Sequence, residues 1–181
     1  MNELTDYSEL LASLIAPKDD TRVSDTGVIF RSFFIRTYGC QMNERDSEKM
    51  AGLLTQMGFS NAASQEEADI IIYNTCCVRE SAENKIFGHL SKLKSWKTEK
   101  KFILAVGGCM TQQKEISERL EKQHKYVDII FGTANRHRLP EFLWRAINGE
   151  RVTDINATIP ATKREFLLKK GKKTFLKVII K

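Results

Sequence analysis

Several things are scarce in this sequence, and each scarcity excludes a class of protein. Three prolines and ten glycines in 181 residues exclude a collagen-like or low-complexity chain. Four cysteines (Cys40, Cys76, Cys77 and Cys109) are too few and too dispersed for the disulfide framework of a small secreted domain. Long apolar runs are missing as well. Leu10-Leu11-Ala12-Ser13-Leu14-Ile15-Ala16 falls far short of the roughly 20 residues that span a bilayer. Acidic Glu3, Asp6 and Glu9 precede it where a signal peptide would be basic. A cytoplasmic chain with no membrane association is therefore expected, and in a reducing compartment spaced cysteines favour metal binding or catalysis over disulfides.

Charge is unevenly spread. Eight basic residues and one acid in Lys163–Lys181 give that segment +7, so residues 1–162 carry −1 within the total of +6. The calculated pI of about 9.1 thus describes the tail rather than the body. Such a tail suits contact with nucleic acid or acidic lipid, or simple solvation.

Hydrophobic periodicity predicts alternating strands and helices. Residues 4–16 read as a short amphipathic helix and Pro17–Gly27 as a linker. Strands are expected at Ser32–Tyr38, Asp69–Asn74, Phe102–Val106 and Val127–Phe131, with weaker ones at Arg151–Ile155 and Thr174–Ile180. Between them, helices are expected at Asn43–Met57, Arg79–Trp96, Gln112–His124 and Pro140–Asn148. This alternation implies βαβ crossovers: a three-layer α/β fold with a mainly parallel sheet of four to five strands flanked by helices. Strand order does not follow from the pattern.

The cysteines fall at informative places. Cys40 follows the first predicted strand, Cys76 and Cys77 the second, and Cys109 the third. In a parallel sheet such loops share the carboxyl edge, where open α/β folds bind ligands. Each cysteine also precedes a predicted helix, whose positive end favours thiolate. Gly39, Gly107 and Gly108 would let backbone approach something bulky. Three thiolates without a nearby histidine suit an iron–sulfur cluster before zinc. Three buried structural cysteines are the competing reading. Nucleotide- or flavin-binding is disfavoured, because no GxGxxG or P-loop follows any predicted strand.

Four stretches, TYGCQMNERDSEKM (Thr37–Met50), ADIIIYNTCCVRESAENKIFG (Ala68–Gly88), GGCMTQQ (Gly107–Gln113) and VDIIFGTANRHRLPEFL (Val127–Leu143), together resemble the N-terminal domain of radical-SAM methylthiotransferases. The wording is nearest to the tRNA-modifying MiaB type. This resemblance implies a transferase that adds a methylthio group to C2 of N6-isopentenyladenosine next to the anticodon, with tRNA as partner. It implies two [4Fe–4S] clusters and S-adenosylmethionine. An auxiliary [4Fe–4S] cluster would be held by Cys40, Cys76 and Cys109. Cys77 stands where the family usually has a small residue and is read as a non-ligand. Relatives acting on threonylcarbamoyladenosine in tRNA or on a ribosomal protein are alternatives, as is a non-enzymatic tRNA- or partner-binding module.

The family's CxxxCxxC radical-SAM motif is absent from these residues, as is its RNA-binding β-barrel. The chain is therefore expected to be C-terminally truncated relative to the family and inactive alone, lacking the radical-SAM and RNA-binding domains. Expected organisation is an N-terminal helix and linker (1–27), the auxiliary-cluster domain (28–150) and a basic interdomain segment opening the radical-SAM domain (151–181). Asn43, Asn74, Thr75 and Arg79, beside the cysteines, are expected to orient the cluster or cap helices. Arg136, His137 and Arg138 form a small basic group, read as a solvated loop or a phosphate contact.

Overall fold

A computed structural model describes residues 29–76, 80–155, 165–170 and 173–179. The predicted N-terminal helix and linker, Cys77 and Arg79 lie outside them. The first strand, β1, is Ser32–Thr37, and α1 is Gln41–Gln56. A two-residue strand β2 (Ser60–Asn61) precedes β3 (Ile70–Thr75) and α2 (Glu80–Glu99). Next come β4 (Ile103–Gly108), α3 (Lys114–Gln123), β5 (Ile129–Phe131), α4 (Leu139–Ile147) and β6 (Val152–Asp154). These six strands form one all-parallel sheet in the order β2-β1-β3-β4-β5-β6. Two further strands, β7 (Glu165–Lys170) and β8 (Lys173–Ile179), pair antiparallel as a separate hairpin.

The apolar runs explain the layers. Successive side chains of a strand point to opposite faces, so a strand covered on both sides must be apolar throughout. In β3, Ile70 and Ile72 join Met50 and Leu54 of α1 and Leu139, Phe142 and Leu143 of α4 in one core. The intervening Ile71 and Tyr73 join Ile86, Leu90 and Leu93 of α2 and Ile116 and Leu120 of α3 in the other. Leu104 and Val106 of β4 face the second core, Ile103 and Ala105 the first. Each fully buried Leu, Ile or Phe contributes about 1.5–3 kcal/mol of transfer free energy. At the amino edge, the Asp69 carboxylate accepts from the Ser32 amide at 3.0 Å and the Asp128 carboxylate from the Leu104 amide at 2.7 Å, fastening neighbouring strands together.

The expected three-layer α/β architecture is present, with six sheet strands rather than four or five. The addition is β2, whose residues are both exposed and polar. It exists through backbone pairing with Ser32 and Phe33 of β1, which leaves no hydrophobic signature to read. The Glu165–Lys170 strand was likewise not expected. The sheet also runs on to Asp154, past residue 150.

Candidate metal centre

Register makes the strand ends level. Thr37 pairs with Asn74, Asn74 with Gly107, and Thr75 with Gly108. Cys76 and Cys109 therefore emerge side by side directly after the paired ends of β3 and β4. Cys40 lies one short turn beyond β1, at the position that starts α1. Strand order adds meaning to this edge. The chain leaves β1 for β2 on one side, whereas β3 lies on the other side of β1. The crevice between β1 and β3 is thus a topological switch point, the usual ligand site of open α/β sheets, and Cys40 and Cys76 flank it.

Cys40 is exposed, Cys76 buried and Cys109 intermediate, and none of the three is in a disulfide. The amides of Asn43 and Met42, at the start of α1, hold the Cys40 thiol below its ordinary range, and the neighbouring Cys76 side chain acts in the same direction. This is the helix-terminus effect expected from sequence. For Cys109 the local structure differs. A 3-10 turn, Met110–Gln112, follows it, and α3 begins only at Lys114 after an extended Gln113.

The glycines work differently from the sequence expectation as well. Their bulky neighbours belong to the chain itself. A Cβ on Gly107 would run into the Phe131 ring. Gly108, at φ +108°, lies against the Thr75 backbone, where a Cβ would stand 2.1 Å from its carbonyl oxygen. Gly39, at φ +127°, lies against Cys76. The Gly39 and Gly108 contacts bring the β1 and β4 loops close against the end of β3.

Polar side chains fasten the loops from below. Buried Asn74 donates to the Asn43 carbonyl at 2.8 Å and to the Ser47 hydroxyl at 3.0 Å. Asn43, also buried, donates to the Tyr38 carbonyl at 3.0 Å. The Thr75 hydroxyl donates to the Gly107 carbonyl at 2.6 Å, and the Cys109 amide donates to the Thr75 carbonyl at 3.0 Å. The Thr111 hydroxyl ties Gly108 to Phe131 through their carbonyls, at 2.9 and 2.7 Å. Asn43, Asn74 and Thr75 are therefore brought to the cysteine loops. Ser47 and Thr111 belong to the same framework. Sequence reasoning passed them over, since a serine or threonine inside a helical pattern carries no signal until its partner is known.

Among the described residues, no three His, Cys, Asp or Glu side chains stand together as a metal-binding group. Cys40 and Cys76 are neighbours, and the Cys109 loop is hydrogen-bonded to the residue before Cys76. The donor set is three thiols with no imidazole, chemistry that fits a thiophilic iron–sulfur cluster and would leave one cluster iron without a protein ligand. The histidines have other partners: His89 bonds the Tyr38 hydroxyl, His124 bonds Tyr126 and His137 bonds the Ala134 carbonyl. The basic group at 136–138 is engaged internally. Arg136 pairs with Asp46 at 3.2 Å, and Arg138 pairs with Glu141 and Asp154.

Fold and edge together define an open, doubly wound α/β domain with Cys40 and Cys76 at its switch point and Cys109 at the end of the next strand. The chain belongs to the family described as "Uncharacterized protein family UPF0004", whose sequence pattern matches residues 32–132. It is similar to proteins named tRNA-2-methylthio-N(6)-dimethylallyladenosine synthase. With that of Clostridium beijerinckii it shares 54% identity over 114 residues, covering 62% of this chain and 25% of the relative. With that of Clostridium tetani it shares 53% over 116 residues, covering 64% and 26%. With that of Acetivibrio thermocellus it shares 49% over 119 residues, covering 65% and 25%. The chain thus spans about a quarter of the length of the curated relatives it matches. Among the described residues, no helix is long and apolar enough to cross a membrane.

Proposed function

We propose that residues 28–150, together with β6, form the auxiliary-cluster domain of a tRNA methylthiotransferase. Its reaction is the addition of a methylthio group to C2 of N6-isopentenyladenosine beside the anticodon, in the cytoplasm. The observation that carries this reading is the convergence of Cys40, Cys76 and Cys109 on one sheet edge, in a chain that is 54% identical over 114 residues to a synthase of that name. Cys40, Cys76 and Cys109 would hold a [4Fe–4S] cluster. When bound, the cluster supplies an iron not ligated by protein, at which sulfur for transfer can be handled. The second cluster and S-adenosylmethionine belong to chemistry outside the residues described.

The chain's own residues prepare the site. Cys40 presents a thiol biased toward thiolate, the form that ligates iron. Asn74 and Asn43 set the distance between the β1 and β3 loops, and Thr75 that between the β3 and β4 loops. Cys76, in the deepest position, holds its place against Gly39. Arg79, beyond the described residues, is assigned to the same supporting shell.

Anaerobic reconstitution of the 181-residue chain with iron and sulfide tests the reading. About four irons per chain are expected, lost on Cys40→Ala, Cys76→Ala or Cys109→Ala and retained in Cys77→Ala. A folded chain that takes up no cluster would overturn it and leave a binding module in its place.

A further inference from the structure

We propose that the shoulder where α2 lies against the carboxyl half of β1 is an RNA phosphate-binding surface, built from Arg36, Lys85, His89 and Lys92 with Tyr38 at its base. This rests on the tRNA reading above and locates a contact surface for that partner.

The helix brings three of these groups together. Lys85, His89 and Lys92 stand at i, i+4 and i+7 and so share one face of α2. That face adjoins the buried stripe of Ile86, Leu90 and Leu93, so it looks outward beside the sheet rather than away from it. From the strand, Arg36 reaches the same place, its Nη1 3.5 Å from Nδ1 of His89. The Tyr38 hydroxyl lies 2.6 Å from that same nitrogen. Lys85 and Lys92 are exposed, and Arg36 and His89 are partly so.

The charge of this cluster is one-sided. Elsewhere in the molecule Lys97, Arg136, Arg138 and Arg145 have carboxylate partners. Among the described residues, no carboxylate pairs with Arg36, Lys85 or Lys92. The His89 ring registers the consequence. Burial, then the charges of Arg36, Lys92 and Lys85, push its basicity below the ordinary imidazole range. His89 is engaged with Tyr38, and Arg36, Lys85 and Lys92 are left to attract an anion. Arg36 brings the guanidinium fork suited to phosphate, and the two lysines bring point charges.

Position and surroundings select the partner. Cys40 lies four positions after Arg36, at most roughly 14 Å of chain, so a phosphate held here would lie near the cysteine edge. Among the residues whose side chains are described, Ile29 and Met42 are the large hydrophobics exposed, and neither belongs to this shoulder. An interfacial membrane site would need apolar residues beside the cations. Cations without apolar neighbours suit the phosphates of the RNA proposed above as partner.

The test is fluorescence anisotropy of a labelled anticodon stem-loop RNA against the full chain over a salt series. Two variants are compared with it: Arg36→Gln/Lys85→Gln/Lys92→Gln, and the tail variant Lys169→Gln/Lys170→Gln/Lys172→Gln/Lys173→Gln. The shoulder variant, unchanged in circular dichroism, is expected to bind about tenfold more weakly or worse. Its slope of log affinity against log salt should be shallower by about 2, as the loss of three phosphate contacts requires. In the same variant, NMR titration should show the His89 ring becoming more basic. Wild-type binding and slope in the shoulder variant, with loss in the tail variant, would overturn this inference and leave the tRNA reading standing. No RNA binding by the wild-type chain would overturn both. Tighter binding to phosphatidylserine vesicles or polyglutamate than to RNA would overturn the choice of partner.

Discussion

A Cβ placed on Gly39 would stand 2.3 Å from the Cβ of Cys76 and 3.0 Å from its sulfur. Two segments 37 residues apart in sequence therefore touch at a point where any side chain is excluded. The backbone at Gly39, with φ +127°, is also one that L residues rarely adopt. Gly39→Ala should lower stability by about 1–3 kcal/mol, read as a shift in the urea midpoint. It should also cut iron retention after reconstitution, because the β1 loop must move away from Cys76. A variant with wild-type stability and iron content would show that the two loops do not need this contact.

Cys40 is expected to be the most reactive of the three described thiols. It is exposed, and the start of α1 draws its thiol toward thiolate. Thiolate is the nucleophile, so a depressed pKa keeps alkylation fast as pH falls below the usual thiol range. Iodoacetamide labelling of the metal-free chain, followed by peptide mass spectrometry, should show Cys40 reacting before buried Cys76. Its rate should reach half-maximum at a lower pH than in the urea-unfolded chain. The same half-maximum in folded and unfolded protein would rule out the helix-terminus effect.

Asn74 is a buried amide spanning two elements, bonded to the Asn43 carbonyl and the Ser47 hydroxyl of α1. Asn74→Ala removes both bonds and leaves those acceptors inside the protein, which costs about 1–3 kcal/mol. Ser47→Ala also removes two bonds, to Asn74 and to the Thr37 hydroxyl at 2.7 Å, but Asn74 keeps the Asn43 carbonyl and the half-buried Thr37 hydroxyl can turn to water, so it should be milder than Asn74→Ala. Denaturant titration of both variants checks the order. If the order is reversed, Ser47 rather than Asn74 holds α1 to the strand ends.

Much of the fold was legible because burial on two faces leaves a local mark. Ile70 to Tyr73 and Ile103 to Val106 are continuous apolar runs, and no other placement in an alternating α/β chain hides both halves of each run. The pair Ser60–Asn61 was illegible for the opposite reason. It is held by backbone hydrogen bonds to β1, and backbone groups are the same in every residue.

The site divides along a similar line. That Cys40, Cys76 and Cys109 follow strands is a property of the sequence, and parallel connection alone sends them to one edge. Which of them are neighbours is a matter of strand order. That order places β1 and β3 side by side and opens the switch point between Cys40 and Cys76, and no local pattern encodes it. The glycines show the same division. Their presence was plain in the sequence, but only the packed chain shows that they face Phe131, Thr75 and Cys76. Arg136 and Arg138 looked available in sequence and are paired in space, while Arg36, Lys85 and Lys92 looked unrelated and meet around His89. Sequence determines which side chains a strand or helix presents. Long-range packing, through pairings between residues tens of positions apart, determines which of them share a surface.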